Sequence, residues 1–264
     1  MSTPGRPTPP QNATMLVAEV LRAERVTPTM MRVTLGGGAL SAFEPMGFDQ
    51  WFRLFLPARS DAETSYALPA KINLLGYMQY LAMPKATRPA MRNYTVRQFR
   101  AAERELDIDF VAHGDNGPAS RWAAAARVGD TVALLDQGTM FSPVDGTDWH
   151  LLVGDESGLP AIAGILRDMP RDATGHAFIE IPDPADAQPV DAPAGVEVHW
   201  LPREHSDRPG ALAIRTVQAF DLPAGSVYAF LVGEQSLPTQ LRRWLVTERG
   251  VPKANVTFSG FWRA

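Results

Sequence analysis

The chain has 264 residues, of which 45% are apolar and 20% charged, with a net charge of −4. That composition supports one large or two ordinary globular domains, and the negative balance argues against nonspecific nucleic-acid binding. There is no Cys, which excludes disulfides, thiolate catalysis, Cys-ligated zinc and Cys-bound iron–sulfur clusters; any electrons the chain moves must ride on an organic cofactor. No apolar run approaches the length of a membrane span, so no stable membrane insertion is expected. Met1 to Gln11 is rich in Pro and polar residues and lacks the apolar core of a signal peptide. It reads as part of a disordered tail over residues 1–13 of a cytoplasmic protein.

The first half reads as short strands. Met15 to Arg22 is apolar enough to be buried, and Met31, Val33 and Leu35 alternate with Arg32 and Thr34. Gly36 to Gly38 ends that strand, and Trp51 to Leu56 supplies the next. Between Pro57 and Pro89 the pattern fails, which predicts a long insertion with a short helix around Tyr77 and Tyr80. Met91-Arg92-Asn93-Tyr94-Thr95-Val96-Arg97 follows. In a strand, Arg92, Tyr94 and Val96 share one face, and Asn93, Thr95 and Arg97 the other. Tyr offers a flat ring, Thr a hydroxyl and Arg a phosphate-matching fork, a set that suits a flavin with a phosphate tail. Tyr and Thr are also simply good strand formers, so a half-buried strand with exposed arginines accounts for the stretch by itself. Leu106, Ile108 and Phe110 alternate with Asp107 and Asp109, and Thr131 to Leu135 adds a further strand. The set predicts a small antiparallel barrel. One helix, from Gly117-Pro118 through Ala126, interrupts it. His113, Gly114 and the N–H groups near Ala119 and Ser120 could cradle a pyrophosphate there.

Asp145 to Asp148 is a polar joint, which places the first domain at 14–146 and the second at 147–264. Strands then alternate with helices: strands at Trp149–Val153, Ala177–Ile181, Val196–Leu201, Val227–Val232 and Val256–Phe261, with helices from the Gly154–Pro160 turn through about Met169, over Ala211–Phe220 and over Ser236–Arg249. That order implies a parallel sheet covered on both faces, with ligands beyond the carboxyl ends of its strands. Gly154-Asp155-Glu156-Ser157 and Gly233-Glu234 fall at such ends. The Gly154 turn is not a GxGxxG fingerprint, and Asp155 and Glu156 would repel a phosphate unless they face away. Asp183 and Asp186 lie roughly where an acid could meet a ribose. The five His include no HExxH and no pair at helical spacing, so no metal site is expected. Ser157 lacks the glycine spacing of a nucleophile elbow.

These segments together resemble the siderophore-interacting protein family, a branch of the ferredoxin-reductase-like flavoenzymes. Arg92 to Arg97 is similar to its Arg-x-Tyr-Thr-x-Arg flavin motif, and Asp109 to Gly114 with Gly117-Pro118-Ala119-Ser120 and Trp122 to its second flavin segment. Gly154 to Ile162 resembles its Gly-Asp-Glu-Thr-x-Leu-Pro-Ala turn, and Gly233-Glu234 and Ser259 to Arg263 its closing segments. The matches keep the family's order and cover nearly the whole chain. Phe261 stands where the family usually has Tyr, and the sequence stops at Ala264, before a Gly and a basic tail that could meet an anionic siderophore.

The resemblance implies an N-terminal antiparallel FAD-binding barrel followed by a C-terminal parallel-sheet nicotinamide-binding domain. It implies FAD with NADPH or NADH, or a ferredoxin as donor, and a ferric siderophore as substrate. Arg92 would hold FAD phosphate, Tyr94 would stack on the isoalloxazine, Thr95 would bond near its reactive nitrogen, and Arg97 closes the motif. His113, Gly114, Ala119 and Ser120 would line the phosphates. Gly154, Asp155, Glu156, Gly233 and Glu234 would face the nicotinamide cofactor, and Trp262 would sit close to the flavin. The rivals are a flavin-linked electron transferase with a protein partner and a siderophore- or flavin-binding protein without turnover.

Overall fold

The computed structural model of the protein describes residues 7–11, 13–57, 68, 74–112 and 117–264. The first half holds strands β1 (Met15–Thr27), β2 (Met30–Gly36) and β3 (Trp51–Leu56), helix α1 (Leu74–Ala82), β4 (Ala90–Thr95), β5 (Gln98–Arg100), β6 (Glu105–Val111), helix α2 (Pro118–Ala125) and β7 (Thr131–Gly138). The seven strands pair antiparallel in the order β4-β3-β7-β1-β2-β6-β5. Its two edges, β4 and β5, are separated in sequence only by Val96 and Arg97. Val96 N–H still bonds to Gln50 beside β3, at 2.8 Å, while Arg97 N–H already bonds to Asp107 of β6, at 2.9 Å. The chain therefore changes partners at this seam, running from one edge of the sheet directly to the other.

Alternation sets what lies inside. Ala90, Tyr94 and Val96 face a core built with Val33, Leu35, Leu54, Ile108 and Phe110. Met91 packs on the opposite side, against Phe55 and Tyr80. The acids of β6 are not solvated as a polar strand face would be. Arg32 forks onto Asp109 at 2.7 and 2.8 Å, Thr34 donates to Asp107 at 2.7 Å, and Arg100 forks onto Asp107 at 2.6 and 2.7 Å. At the start of the chain, inside the segment expected as a disordered tail, Thr8 pairs with Thr139 through two backbone bonds of 2.8 and 2.9 Å. Residues 1–6 and 12 lie outside the described set.

The second half holds β8 (Trp149–Gly154), α3 (Leu159–Asp168), β9 (Thr174–Ile181), β10 (Gly195–Pro202), α4 (Ala211–Ala219), β11 (Val227–Glu234), α5 (Ser236–Thr247) and β12 (Val256–Trp262). All five strands are parallel, ordered β10-β9-β8-β11-β12. β11 is buried at every residue, as a strand covered on both faces must be. The core cluster on one side takes its helical residues from α3, and the cluster on the other from α4 and α5.

Two carboxylates bond across the halves, and a third fixes the segment that links them. Asp49 accepts the N–H groups of Met140 and Phe141, where the chain leaves the barrel. Asp168 at the end of α3 accepts Phe48 N–H at 2.6 Å. Asp186, which the sequence suggested for a ribose, is buried and accepts Thr27 O–H at 2.6 Å and Thr29 N–H at 2.9 Å. Asp183 is engaged locally, accepting Ala185 N–H at 2.8 Å. Gly164 lets α3 approach closely, since a Cβ there would lie 2.0 Å from the carbonyl oxygen of Phe48. Replacing Gly164 with Ala should gain about 1 kcal/mol of helix propensity yet lose more, up to about 3 kcal/mol, to overpacking, for a net destabilisation of up to about 2 kcal/mol. Thermal unfolding reads the sign, and a Gly164→Ala variant that melts higher than the parent would show that α3 can retreat freely.

Candidate functional site

The barrel side of the site is built on the seam. β4 carries Arg92 at an exposed position, where its guanidinium donates to the Met91 carbonyl at 2.8 Å. Among the described residues no carboxylate forms an ion pair with it. Tyr94 is half-buried, with its ring 4.3 Å from that of Phe110, and burial pushes its phenol well above the usual range. Phe110 in turn meets Trp122 of α2 at 5.6 Å, so α2 is held against the strands that carry Arg92 and Tyr94. Thr95 is buried. Arg97 sits 3.4 Å from Asp109, which Arg32 already engages, and its buried Nε makes no hydrogen bond among the described residues. Burial lowers the pKa of Arg97 against the attraction of Asp109.

The residues present fit a flavin with a phosphate tail. α2 begins after Gly117 in extended conformation, with Pro118 in its first turn and no side chain capping its N–H groups. Uncapped donors at a helix start, and an exposed arginine on a strand that the helix contacts, are the kinds of donor an anionic phosphate requires. Ala119 is buried at that start, and Ser120 donates its hydroxyl to Val111 at 2.9 Å. His113 and Gly114 lie outside the described residues.

The other side of the site lies at the carboxyl ends of β8, β11 and β12. Here the structure differs from the expectation in one respect: the carboxylates turn inward. Asp155 is fully buried. It accepts Ser157 N–H at 2.9 Å and the Ser157 hydroxyl on one oxygen. Its other oxygen accepts Glu234 N–H at 2.6 Å and Trp262 Nε1–H at 2.9 Å. Glu156 is forked by Arg203 at 2.6 and 2.7 Å. Glu180 lies 3.4 Å from the same arginine and accepts the Gly210 and Ala213 N–H groups at the start of α4. Glu234 accepts the N–H and hydroxyl of Ser236 at the start of α5. The electrostatic objection to a phosphate near Gly154 is thereby weakened, because both acids point into the protein and one is neutralised by an arginine. Gly233 has φ of 123°, and a Cβ there would lie 2.8 Å from the Asp155 carboxylate. Only glycine suits both demands.

Arg203 and Arg32 belong to this arrangement, although neither carried a site assignment in the sequence. The acids of β6 offered a signal for Arg32, since unlike charges opposed across an antiparallel pair tend to bond. Arg203 left no local trace, because Glu156 is 47 residues away in sequence.

Two family profiles match the chain. Residues 19–140 match the siderophore-interacting FAD-binding domain, and residues 147–264 match the siderophore-interacting protein profile. The ferric vibriobactin reductase of Vibrio cholerae is 31% identical over 93% of this chain and 88% of its own. The NADPH-dependent ferric-chelate reductase of Escherichia coli is 30% identical over 93% of this chain and 91% of its own. The crystal structure of a siderophore utilization protein from T. fusca superposes with a TM-score of 0.80 at 36% identity, covering 98% of this chain and 95% of that one. An antiparallel sheet that matches an FAD-binding domain, followed by a parallel-sheet α/β half, is the fold of the ferredoxin-reductase-like flavoproteins. Within that class, the chain belongs to the siderophore-interacting protein family.

Burial, with the charge of Glu156 adding to it, pushes the Asp155 carboxyl up to about 6 against the pull of its donors. A carboxyl whose pKa is raised on folding contributes most below its unfolded value and loses that contribution as pH rises to the folded value. Wild type should therefore lose stability between about pH 4 and pH 6 relative to Asp155→Asn, which cannot ionise. Melting temperatures of the two across that range check this, and parallel profiles would mean that Asp155 does not titrate there. Trp262→Phe removes one donor to the carboxylate, so the transition should move to higher pH.

Proposed function

We propose that the protein is an FAD-dependent reductase of ferric siderophores that draws electrons from NAD(P)H. The observation that carries this reading is the pairing of an exposed Arg92 on β4 with the uncapped start of α2, a helix that packs against β4, inside the segment that matches a siderophore-interacting FAD-binding domain. The relatives named for ferric-chelate and ferric-vibriobactin reduction, similar over nearly their whole length, support the substrate class. Bound flavin supplies the conversion between the two electrons of a hydride and the single electrons that ferric iron accepts. One hydride equivalent thus reduces two ferric centres, and each ferrous ion, less oxophilic than ferric, leaves its chelate more readily.

The chain's own residues bind and orient. Arg92 and the N–H groups at Ala119 and Ser120 hold phosphate charge, with His113 and Gly114 assigned to the same loop. Tyr94 offers a ring held in place by Phe110, and Thr95 a hydroxyl at the barrel seam. Arg97 holds the seam against Asp109. In the second domain the backbone at Gly154 and Gly233 forms the floor for the nicotinamide. Asp155, Glu156 and Glu234 act as positioning residues beneath it, and Trp262 stands at its edge, tied to Asp155. No protein acid or base is required.

NADPH is the donor in the name of the Escherichia coli relative, and NADH or a reduced ferredoxin are the alternatives. Anaerobic titration of the purified yellow protein with each donor, followed by a ferric siderophore and a ferrous-specific chelator, tests the whole sequence. Bleaching by NADPH or NADH with ferrous iron appearing on addition of the chelate is the expected result. Bleaching without iron reduction would indicate an electron transferase serving another partner, and a protein without flavin would indicate a binding module. Arg92→Ala should lose a charge-assisted phosphate bond worth about 1.5–3 kcal/mol, weakening FAD roughly ten- to hundredfold with little change in folding. Flavin content measured beside melting temperature checks this, and equal FAD occupancy would remove Arg92 from the site.

A further inference from the structure

The parallel sheet has a second cluster of chemistry, near the opposite end of its strands. β9 and β10 pair in parallel with His176 opposite Glu197 and Phe178 opposite His199. Side chains alternate across a strand, so His176, Glu197 and His199 emerge on one face. Imidazole His199 stacks on Phe178 at 4.4 Å, and His176 meets the ring of Phe220, just past α4, at 4.7 Å. These aromatic contacts fix both imidazoles before anything binds. His176 Nδ1 lies 3.2 Å from His199 Nε2. The Glu197 carboxylate lies 3.7 Å from His176 Nδ1 and 3.8 Å from His199 Nδ1. One nitrogen from each ring and one carboxylate oxygen fall within 4.8 Å of one another.

We propose that His176, Glu197 and His199 bind one divalent first-row transition-metal ion of the zinc class. The donor set is two imidazoles and a carboxylate, which suits zinc, cobalt, nickel or ferrous iron and disfavours the all-oxygen ions magnesium and calcium. Two nitrogens each about 2.0–2.1 Å from one ion at a tetrahedral angle stand about 3.3 Å apart, close to the separation already present. Ligation through these two atoms needs the donor imidazole to carry its proton on its other nitrogen. A cleft of about 470 Å³, lined by Trp149, Thr174, His176, Glu197 and Pro223, opens beside the cluster. Three protein ligands therefore leave coordination positions for water or a small anion from that cleft. The site is separate from the flavin and nicotinamide surfaces: five residues of β9, about 16 Å at strand rise, divide His176 from the carboxyl end at Ile181.

The test uses the untagged, flavin-loaded full chain, stripped with a chelator and titrated calorimetrically with zinc. Cobalt serves as the optical probe, since its d–d bands report a tetrahedral N/O site. Wild type is expected to take up one equivalent, and Glu197→Gln and His199→Asn to bind at least about tenfold more weakly, since even outer partners of a metal site are worth that much. FAD content and the rate of reduction by NADPH should be unchanged in both. Glu197 is exposed, so Glu197→Gln reads the ligand set even if His199→Asn folds poorly. Absence of stoichiometric zinc uptake, or variants that bind as tightly as wild type, would overturn the proposal and leave the imidazole pair as a hydrogen bond; neither result touches the reductase reading.

Discussion

The second domain depends on a single buried carboxylate. Three parallel strands end side by side, and their carboxyl ends would otherwise present unpaired N–H groups and a mobile C-terminal strand. Asp155 gathers the turn after β8, the backbone after Gly233 on β11 and the indole of Trp262 on β12. Burying that charge without partners would cost several kcal/mol. With donors on both oxygens, the same charge holds three elements to one another. The glycine at 233 follows from this, since any side chain there would enter the space the carboxylate occupies. So does the aromatic near the chain's end, because Trp offers both a donor and a large apolar body.

The barrel solves a different problem. Its sheet is joined at the seam by one segment that bonds first to β3 and then to β6. The residues of the flavin motif sit on either side of that change of partner. Joining the two edges of the sheet and placing the residues of this motif are thus one structural event. The buried ion pairs of Arg32, Arg97 and Arg100 with Asp107 and Asp109 hold the seam from the β6 side. They leave Arg92, on the other strand, available for an anion from outside.

What the sequence made legible follows from how local each feature is. Alternation in Met31 to Leu35 and Leu106 to Phe110 showed β2 and β6, and β11 announced its double burial by its unbroken apolar run. β5 has three residues, too short to show a period. β1 continues past Arg22 to Thr27 because β2 pairs with it, although its second half is polar. The glycine turns stood out by composition and position. The inward direction of Asp155 did not, since Trp262, which ties it to β12, lies 107 residues away. His176 and His199 are 23 residues apart and meet only through the register of two parallel strands. Inspection for helical spacing passes over such a pair.

Electron transfer from a nicotinamide demands that two cofactors held by two domains meet within near-contact distance, about 3–3.5 Å between reacting atoms. Neither domain alone fixes that distance. The two sheets are held to each other by Asp168 on the Phe48 loop and Asp186 on the β1–β2 turn, while Asp49 fixes the segment that leads from one to the other. Each is a carboxylate accepting backbone N–H groups, a bond whose direction is fixed at one end by the main chain. The two that cross between the halves, widely separated in sequence, restrict both sliding and rotation of one sheet against the other. Gly164 then brings α3 into contact with the loop that one of these bonds holds. How one sheet sits against the other is therefore encoded in acidic residues that accept backbone N–H groups.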